Sequence, residues 1–276
     1  MQQPDPRITD FALTSGIDPY HRDVALPLPT DDWGINLWER AGKRYRHPVQ
    51  QTQFALSLLG EYRATGDLGK LALADANARD LLDRAANGYV LQYGFDFPLH
   101  GDAANTIHAP WRSAMAQGLL LSLSTRLWTL AEEPRWLDVA DGVFATLLDE
   151  DAEDWVTFTD AEGFTWLEEY AGDVEPMRVL NGHVFAMYGL YDYWHATKTD
   201  EALTLFNRAA ATVLHYVPRL RVPGAASWYG MRVQDNPIAQ SPKYHRIHIG
   251  QLGRLADMTG CDRFRELAET LREDFS

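Results

Sequence analysis

The chain has 276 residues, enough for a sizeable core in one large domain or two small ones. Its formal net charge of −14 excludes the classes of protein that bind nucleic acid or anionic membrane surfaces through a basic face. The single cysteine, Cys261, excludes an internal disulfide and any multi-cysteine metal site. With neither a bilayer-length apolar run nor the start of a signal peptide, the sequence predicts a soluble, cytoplasmic protein.

The N-terminal stretch differs from the rest in composition. Residues 1–44 are rich in Pro, Asp and Gly and show no sustained hydrophobic period. We interpret them as an irregular arm with one short helix near 33–41, which Trp33 and Trp38 anchor to the body. The aromatic residues of the arm also offer a surface for a homodimer.

After Pro48 the sequence predicts amphipathic helices in pairs. Each pair is interrupted by a break that stops one helix and supplies the N-cap or first residue of the next. The breaks begin at Thr65, Ala131, Thr197 and Thr259, with spacings of 66, 66 and 62 residues. A recurring helical hairpin is typical of a repeat architecture. The predicted helices cover 53–62, a second segment to about 86, 111–131, 135–148, 179–196, 201–217, 244–258 and 263–275.

Four such hairpins can form an open solenoid or close into a toroid. A short solenoid needs polar end caps, whereas the last predicted helix keeps an apolar face at Phe264, Leu267, Leu271 and Phe275. We therefore predict an all-α fold, an α/α barrel of about four hairpins in the main domain, residues 45–276.

The connections between hairpins are long, and the predicted barrel places all of them at one end. They span about 87–110, 149–178 and 218–243, and loops longer than ~12–15 residues in a compact domain usually carry function. Aromatic faces suit sugar rings, and an arginine fork suits a carboxylate. The connections and the helix starts after them hold Tyr89, Tyr93, His100, His108, Arg112, Trp166, Glu168, Glu169, Tyr170, Arg178, Asn181, Trp228, Tyr229, Arg232, Tyr244, His245 and His248.

Two short groups stand out among the residues at this end of the predicted barrel. His245 and His248 lie one helical turn apart, which suits a hydrogen-bonded structural pair, an acid/base or substrate contact, or a metal site without an obvious third ligand. Glu168, Glu169 and Tyr170 are consecutive. If the loop is extended, Glu169 points away from the other two, so that one carboxylate faces substrate while the other holds the loop. The alternative interpretation is that all three residues belong to a solvent-exposed acidic loop without a function.

Other polar residues each allow two interpretations. Tyr229 and Arg232 are three residues apart and form either a substrate clamp or an aromatic packing site with a neighbouring charge. Asn181 either contacts substrate or caps a helix. Gln117 is a substrate contact or a buried polar linker, and Tyr45 lies at the entrance of the first hairpin.

Six ordered segments resemble the C-terminal domain of the D-glucuronyl C5-epimerases, which convert D-glucuronate to L-iduronate in heparan-type polysaccharides. The resemblance covers roughly residues 45–275 and implies an α/α barrel of helical hairpins as the catalytic domain. The segments are S-A-M-A-Q-G (113–118), E-E-Y (168–170), V-L-N-G (179–182), G-L-Y-D (189–192), Y-G-M-R (229–232) and Y-H-R-I-H-I-G-Q-L (244–252), joined by Y-R-H-P-V-Q-Q-T-Q-F from Tyr45.

The resemblance also implies residue roles. It places Glu169, Tyr170 and Tyr244 at the catalytic positions of the family and a uronate-containing oligo- or polysaccharide in the site, with no cofactor or metal. It also implies that Tyr229, Arg232 and Asn181 contact the uronate, with Tyr45 as a further carry-over. The remaining substrate-binding candidates come from the residues themselves and not from the resemblance: Arg112, Gln117, Arg178, His245, His248 and Tyr93.

The chain departs from the family in three ways. A β-rich module is missing between the first-hairpin segment and the rest. Tyr170 is followed by Ala171 where the family has proline. The charge of −14 disfavours a long sulfated polyanion, so a short or non-sulfated uronate glycan is an alternative substrate.

Inverting C5 of a uronate requires removal of a proton next to a carboxylate and its return on the other face. The carbanion needs a cation on the carboxyl group, for which Arg232 is the first choice and Arg112 or Arg178 the reserves. Glu169 and Tyr244 are predicted to flank C5, with Tyr170 in support. A glutamate is too weak a base for this step unless burial raises its pKa.

Three other functions remain open on the sequence. The same carbanion expels the 4-oxygen in a polysaccharide lyase. A glycoside hydrolase needs two carboxylates, which Glu169 with Asp173 or Asp102 would supply. The third is a non-catalytic glycan-binding module, in which none of these residues supports turnover.

Overall fold

A computed structural model of the chain describes residues 5–20, 28–232, 234–236 and 239–275. The described residues form eight α-helices and three two-stranded antiparallel sheets. The helices are α1 (Pro48–Thr65), α2 (Leu68–Leu82), α3 (Ala114–Ala131), α4 (Arg135–Leu148), α5 (Leu180–Thr197), α6 (Asp200–Leu220), α7 (Pro242–Thr259) and α8 (Asp262–Asp274). The strands are β1 (Trp38–Arg40), β2 (Lys43–Tyr45), β3 (Phe97–Pro98), β4 (Thr106–Ile107), β5 (Thr157–Thr159) and β6 (Thr165–Leu167). The fold is therefore mostly helical. The all-α prediction missed the short sheets, which pair backbone groups inside the arm and the long connections.

The four predicted hairpins are confirmed, and each turns by the same device. The residue after the first helix of each hairpin adopts a left-handed conformation, and its N–H donates back to the last turn. These residues are Gly66, Glu132, Lys198 and Gly260. In the first hairpin, the Asp67 carboxylate then caps α2 by accepting from the Gly69 N–H at 2.8 Å. The stop signals read from the sequence thus act at the expected positions, whereas α4, α6 and α8 begin without a side-chain cap.

The first helices of the hairpins pack side by side. Helices α1, α3, α5 and α7 contact one another in that order, and α2, α4, α6 and α8 each pack on their hairpin partner. The crossing of α3 and α5 is close, because a Cβ atom on Gly189 would lie 2.1 Å from the carbonyl oxygen of Gly118. Within the described ranges, none of the helices combines the length and apolar character needed to cross a membrane.

The arm does not contain the predicted short helix. Gly34 has a φ of +77°, and the Asp31 carboxylate accepts from the N–H groups of Trp33 and Ile35, which builds a turn where the helix was expected. Trp33 is 80% exposed, so its predicted anchoring role is wrong. Trp38 does pack on the body.

The first part of the arm crosses the helices near the short turns. Thr14 N donates to the Met258 carbonyl in α7 at 2.7 Å, and the Thr14 carbonyl accepts from the Tyr191 hydroxyl in α5. The hydroxyls of Tyr20 and Ser122 in α3 are 2.6 Å apart. The arm therefore links three hairpins at the end of the molecule opposite the long connections.

Candidate active site

The three long connections meet at one end of the helices, as predicted. Backbone bridges join them: Arg112 in the first connection pairs with Ala171 in the second, and Val179 pairs with Gly230 in the third. We call these bridged segments the mouth. Because the bridges are made by the main chain, they fix the height of each loop relative to the next.

A carboxylate and three tyrosines converge in the mouth. We call Glu169, Tyr170, Tyr229 and Tyr244 the Glu169 cluster. The Tyr229 hydroxyl donates to Glu169 Oε1 at 3.1 Å, and the Tyr170 hydroxyl lies 3.2 Å from that of Tyr229. Since the single proton of Tyr229 is engaged by an ionised Glu169, Tyr170 is the donor in the second bond. The ring centroids of Tyr229 and Tyr244 are 4.4 Å apart.

Burial raises the pKa of Glu169 to about 7, and the hydrogen bond from Tyr229 offsets only part of that rise. Glu169 Oε2 has no hydrogen-bond partner among the described residues. It lies against Gly182, where an added Cβ would meet this oxygen at 2.2 Å. Gly182 is therefore required for the position of Glu169. Sequence reasoning did not single it out, although the quoted V-L-N-G segment contains it.

The tyrosines of the cluster remain protonated at neutral pH. Burial, followed by the nearby charge of Glu169, raises the pKa of Tyr170, Tyr229 and Tyr244 above the ordinary value for a phenol. The same two causes raise the pKa of Tyr93. The cluster thus combines one carboxyl group near its titration midpoint with several protonated phenols.

Glu168 has a different role from its neighbour. Its Oε1 accepts from the Tyr170 N–H and its Oε2 from the Arg178 N–H, both at 2.9 Å, and its side chain is fully buried. It therefore holds the loop. The predicted alternation is correct for the two glutamates but wrong for Tyr170, which lies with Glu169 because the backbone bends after β6.

The three candidate arginines have different partners. Arg232 donates from Nη1 to the Glu175 carbonyl at 2.9 Å, and its Nε lies 3.3 Å from the Glu175 carboxylate. Arg112 donates from Nη2 to the Glu153 carbonyl at 3.1 Å. No carboxylate among the described residues lies within ion-pair distance of the Arg178 guanidinium, and Arg178 has a φ of +53°. Arg112 and Arg178 thus both lack an ion pair in the described part of the chain, and Arg178 is the one whose guanidinium also makes no hydrogen bond there.

The histidine pair belongs to the structure of the mouth. His245 Nδ1 accepts from the Ser227 N–H, and Nε2 donates to the carbonyls of Leu271 and Phe275, each at 2.9 Å. His245 is fully buried, which favours the structural interpretation, and its substrate contact stays a prediction.

His248 is buried beside the same serine. The Ser227 hydroxyl lies 2.9 Å from His248 Nδ1, while Nε2 has no partner among the described residues. Burial lowers the pKa of His248 to about 3, which keeps the ring neutral. No three His, Cys, Asp or Glu side chains in the described ranges are grouped in a way that would hold a metal ion.

The two amide side chains predicted to contact substrate have different surroundings. Gln117 is fully buried: its Oε1 accepts from Leu91 N, and its Nε2 donates to Thr146 Oγ1. The amide thus holds the first connection against α4, which favours the buried polar linker, and its substrate contact stays a prediction. Asn181 does not cap α5, since Val179 occupies that position. Asn181 Oδ1 is buried with no partner among the described residues, and the substrate contact stays a prediction.

Aromatic rings form one wall of the mouth. Tyr93 stacks on Trp111 with centroids 3.7 Å apart, and Trp111 lies 5.7 Å from Tyr170. Tyr45 packs on Phe95 at 4.8 Å. Tyr93 is thus close to the Glu169 cluster, whereas Tyr45 packs in the second layer of the wall.

A cavity of about 500 Å³ lies between the first and third connections. We call it the side cavity. His100 stands beside it: its ring centroid is 4.9 Å from that of Tyr229, and its Nε2 is buried without a partner in the described chain. Burial lowers the pKa of His100, so the ring is neutral at pH 7. The lining residues are Leu99, Asp102, Ala104, Asn105, Arg232, Asp235 and Asn236.

Comparison with known proteins gives one family and several related folds. The sequence family described as D-glucuronyl C5-epimerase C-terminus matches residues 86–273, more than half of the chain. A cellobiose 2-epimerase of Dictyoglomus turgidum (strain DSM 6724 / Z-1310) is 29% identical over 129 residues, which are 46% of this chain and 30% of that protein. The chain therefore matches about a third of the length of that relative.

Solved structures share the fold at low identity. A sugar epimerase from a ruminal bacterium superposes with a TM-score of 0.66 at 15% identity, over 89% of this chain and 64% of the other. The cellobiose 2-epimerase of Bacillus thermoamylovorans B4167 gives a TM-score of 0.58 at 9% identity, over 83% and 60%. At these identities the likeness concerns the fold alone.

Proposed function

The chain belongs to the D-glucuronyl C5-epimerase C-terminal family, and we propose that it inverts C5 of D-glucuronate residues in a heparosan-like glycan to give L-iduronate. The observation that carries the proposal is the Glu169 cluster. It joins a carboxyl group of pKa about 7 to three protonated tyrosines at the mouth of a helical-hairpin fold. The partner is accordingly a uronate-containing oligo- or polysaccharide.

Glu169 is the proposed base. A general base works best when its pKa is close to the working pH, and burial brings this carboxyl group to about 7. Glu169 takes the C5 proton while the electron pair of the C–H bond moves into the adjacent substrate carboxylate. The product of this step is a carbanion with a protonated Glu169.

Tyr244 is the proposed acid on the opposite face, and Tyr170 supports it. The negative charge of Glu169 is one cause of the raised pKa of Tyr244. Once Glu169 has taken the proton, that charge is gone and Tyr244 becomes more acidic. Proton abstraction on one face therefore favours proton donation on the other, which returns C5 to a neutral carbon of inverted configuration.

Arg178 is the proposed partner of the substrate carboxylate, in place of Arg232. Its backbone is fixed by Glu168, and no carboxylate of the described chain occupies its guanidinium. Arg232 is engaged by Glu175. Two developing negative charges on the substrate carboxyl group need such a cation.

The finer architecture also remains a proposal. We propose that the row of α1, α3, α5 and α7 curves into an α/α barrel, which is supported by the convergence of residues from three connections on one cluster. The predicted homodimer through the arm stays a prediction.

Two alternative reactions remain distinguishable. The lyase shares the carbanion and differs in the product. The hydrolase needs a second free carboxylate, but Asp173 is bound to His108 at 2.7 Å, and Asp102 caps Ala104 N at 2.9 Å. These contacts favour the single-carboxylate chemistry.

The test is proton NMR of heparosan, and of other glucuronate glycans, incubated with the protein in deuterated water. Deuterium at C5 together with iduronate signals supports the epimerase. An unsaturated uronate identifies a lyase, and new reducing ends without unsaturation identify a hydrolase. Absence of C5 exchange on every glucuronate glycan would contradict the proposal.

A further inference from the structure

We propose that His183 is a positioning residue that fixes the backbone before Glu169 against α5 and thereby sets where the Glu169 carboxylate meets C5. The inference deepens the proposed function and rests on it for the role of Glu169 as the base. It gives a part in the reaction to a buried histidine that the proton transfers themselves do not use.

The imidazole of His183 joins two backbone groups in the interior of the protein. Its Nδ1 accepts from the Leu167 N–H, and its Nε2 donates to the Ala209 carbonyl in α6, each at 3.0 Å. The side chain is fully buried, and burial lowers the pKa of the ring to about 4. The ring is therefore neutral with its proton on Nε2, because a protonated Nδ1 could not accept from Leu167.

Leu167 needs this acceptor because it lies on the free edge of the β5–β6 sheet. Successive residues of a strand turn their backbone groups to opposite edges. The Glu168 N–H donates to the Val156 carbonyl on the β5 side at 2.8 Å, so the Leu167 N–H points away from β5. On the same outer edge, the Thr165 carbonyl accepts from the Thr212 hydroxyl at 2.6 Å. One side chain of α5 and one of α6 thus link β6 to the helices.

The link at Leu167 bears directly on Glu169, which follows it by two residues. Gly182, the residue before His183, lies against Glu169, because an added Cβ at Gly182 would be 2.7 Å from Glu169 Cβ. One turn of α5 therefore holds β6 through the ring of His183 and supports the Glu169 side chain at Gly182. Without the ring bond the end of β6 can shift along α5, and a misplacement of about 1 Å can cost ~10²-fold in rate.

The Thr212 link offers a matched comparison on the same edge of β6. It holds Thr165, four residues before Glu169, whereas His183 holds Leu167, two residues before it. Both linking side chains are fully buried, so removal of either should lower the thermal midpoint. A purely structural role for His183 predicts the same outcome at both positions. A positioning role predicts a loss of kcat at His183 alone.

The test measures three properties of variants of the full chain: C5 exchange on heparosan, the thermal midpoint, and the carbon NMR titration of the Glu169 carboxyl group, assigned with Glu169→Gln. His183→Phe removes both ring bonds. We expect kcat to fall at least about tenfold while KM changes less than about twofold. The pKa of Glu169 should move from about 7 towards its ordinary value, because a displaced carboxyl group is less buried.

Two further variants separate position from stability. His183→Asn places an amide oxygen near the position of Nδ1 but does not reach the Ala209 carbonyl. It should therefore lose stability and keep most of the kcat, with the pKa of Glu169 still about 7. Thr212→Val should lower the thermal midpoint and leave kcat and the pKa of Glu169 unchanged. His183→Leu removes the same two bonds as His183→Phe with a smaller side chain, and it replaces that variant if the phenyl ring prevents folding.

The proposal is overturned if His183→Phe keeps the kcat of an active parent, or if His183→Asn or Thr212→Val loses as much kcat as His183→Phe does. The titration needs no turnover, so it separates the two claims. If the parent shows no C5 exchange, the epimerase is contradicted and the titration alone decides: an unchanged pKa of Glu169 in His183→Phe then overturns the positioning role, and a lowered one supports it. C5 exchange in the parent with full kcat in His183→Phe contradicts the positioning role alone.

Discussion

The Glu169 cluster and His245 lie in the same mouth and are built from the residue types that enzymes use as acids and bases. They differ in how many of their hydrogen-bonding atoms have a partner within the protein. Both nitrogens of His245 are bonded within the chain. Glu169 keeps one oxygen without a partner in the described residues and contacts phenols whose protons can move. Residue type is therefore a weaker guide to a reactive site than unused hydrogen-bonding capacity.

The strongest way to break this comparison is Glu169→Gln. Gln keeps an oxygen for the Tyr229 hydroxyl but cannot accept a proton from C5. We expect C5 exchange, followed by NMR in deuterated water, to fall by ~10²–10⁴-fold. The thermal midpoint should not fall, because the change removes a buried charge. Retained exchange would remove Glu169 from the mechanism.

The structural role of His245 is tested by His245→Ala. The change leaves the carbonyls of Leu271 and Phe275 and the N–H of Ser227 without their partner, at about 1–3 kcal/mol for a buried group. We expect a loss of roughly 3 kcal/mol in the free energy of unfolding, measured with urea, and little change in kcat of the folded protein. A fall in kcat without a loss of stability would place His245 in the site.

Gly182→Ala sharpens the comparison from the backbone side. The new methyl group would overlap Glu169 Oε2, so the carboxylate must move away from C5. We expect at least a tenfold loss of kcat with a modest loss of stability. Gly60→Ala is the matched control, since nothing lies within 4 Å of its Cβ position. That helical change should stabilise the protein by about 0.5–1 kcal/mol and leave kcat unchanged.

The smallest expected effect is the pH dependence. Since the base works in its ionised form, kcat/KM should rise with pH through a midpoint of about 7. The raised pKa also makes a stability contribution that is complete below pH 4.5 and lost as the pH rises through about 7. Urea unfolding of Glu169→Gln should therefore show a smaller stability decrease between pH 5 and 8 than the parent chain. A rate midpoint near 4.5 would show that burial does not act on this group.

The hairpins were predictable because their signals are local. Each turn contains a left-handed residue, and the first turn also has a side-chain cap, and both features depend on chemistry within a few positions of the chain. Trp33 was misjudged because a carboxylate two residues earlier, Asp31, organises a turn that the hydrophobic pattern does not reveal. Local periodicity thus describes helices better than irregular arms.

The site was less predictable because its roles depend on distant partners. Arg232 is engaged by Glu175, 57 positions earlier, and Gln117 by Leu91. His245 is satisfied by the end of α8. Nothing in the residues adjacent to these three distinguishes a structural contact from a substrate contact. The glutamates and tyrosines were located by the family motifs, but only the fold separates Glu168 from Glu169.

The main-chain bridges of the mouth have a consequence for protein engineering. Each connection is paired with the next through Arg112 and Ala171 or through Val179 and Gly230. A graft that exchanges one connection between relatives must preserve the backbone pairing with its neighbour as well as its own side chains. In a chimaera of two relatives, all three connections should therefore be exchanged together, while the helical hairpins of the recipient are kept.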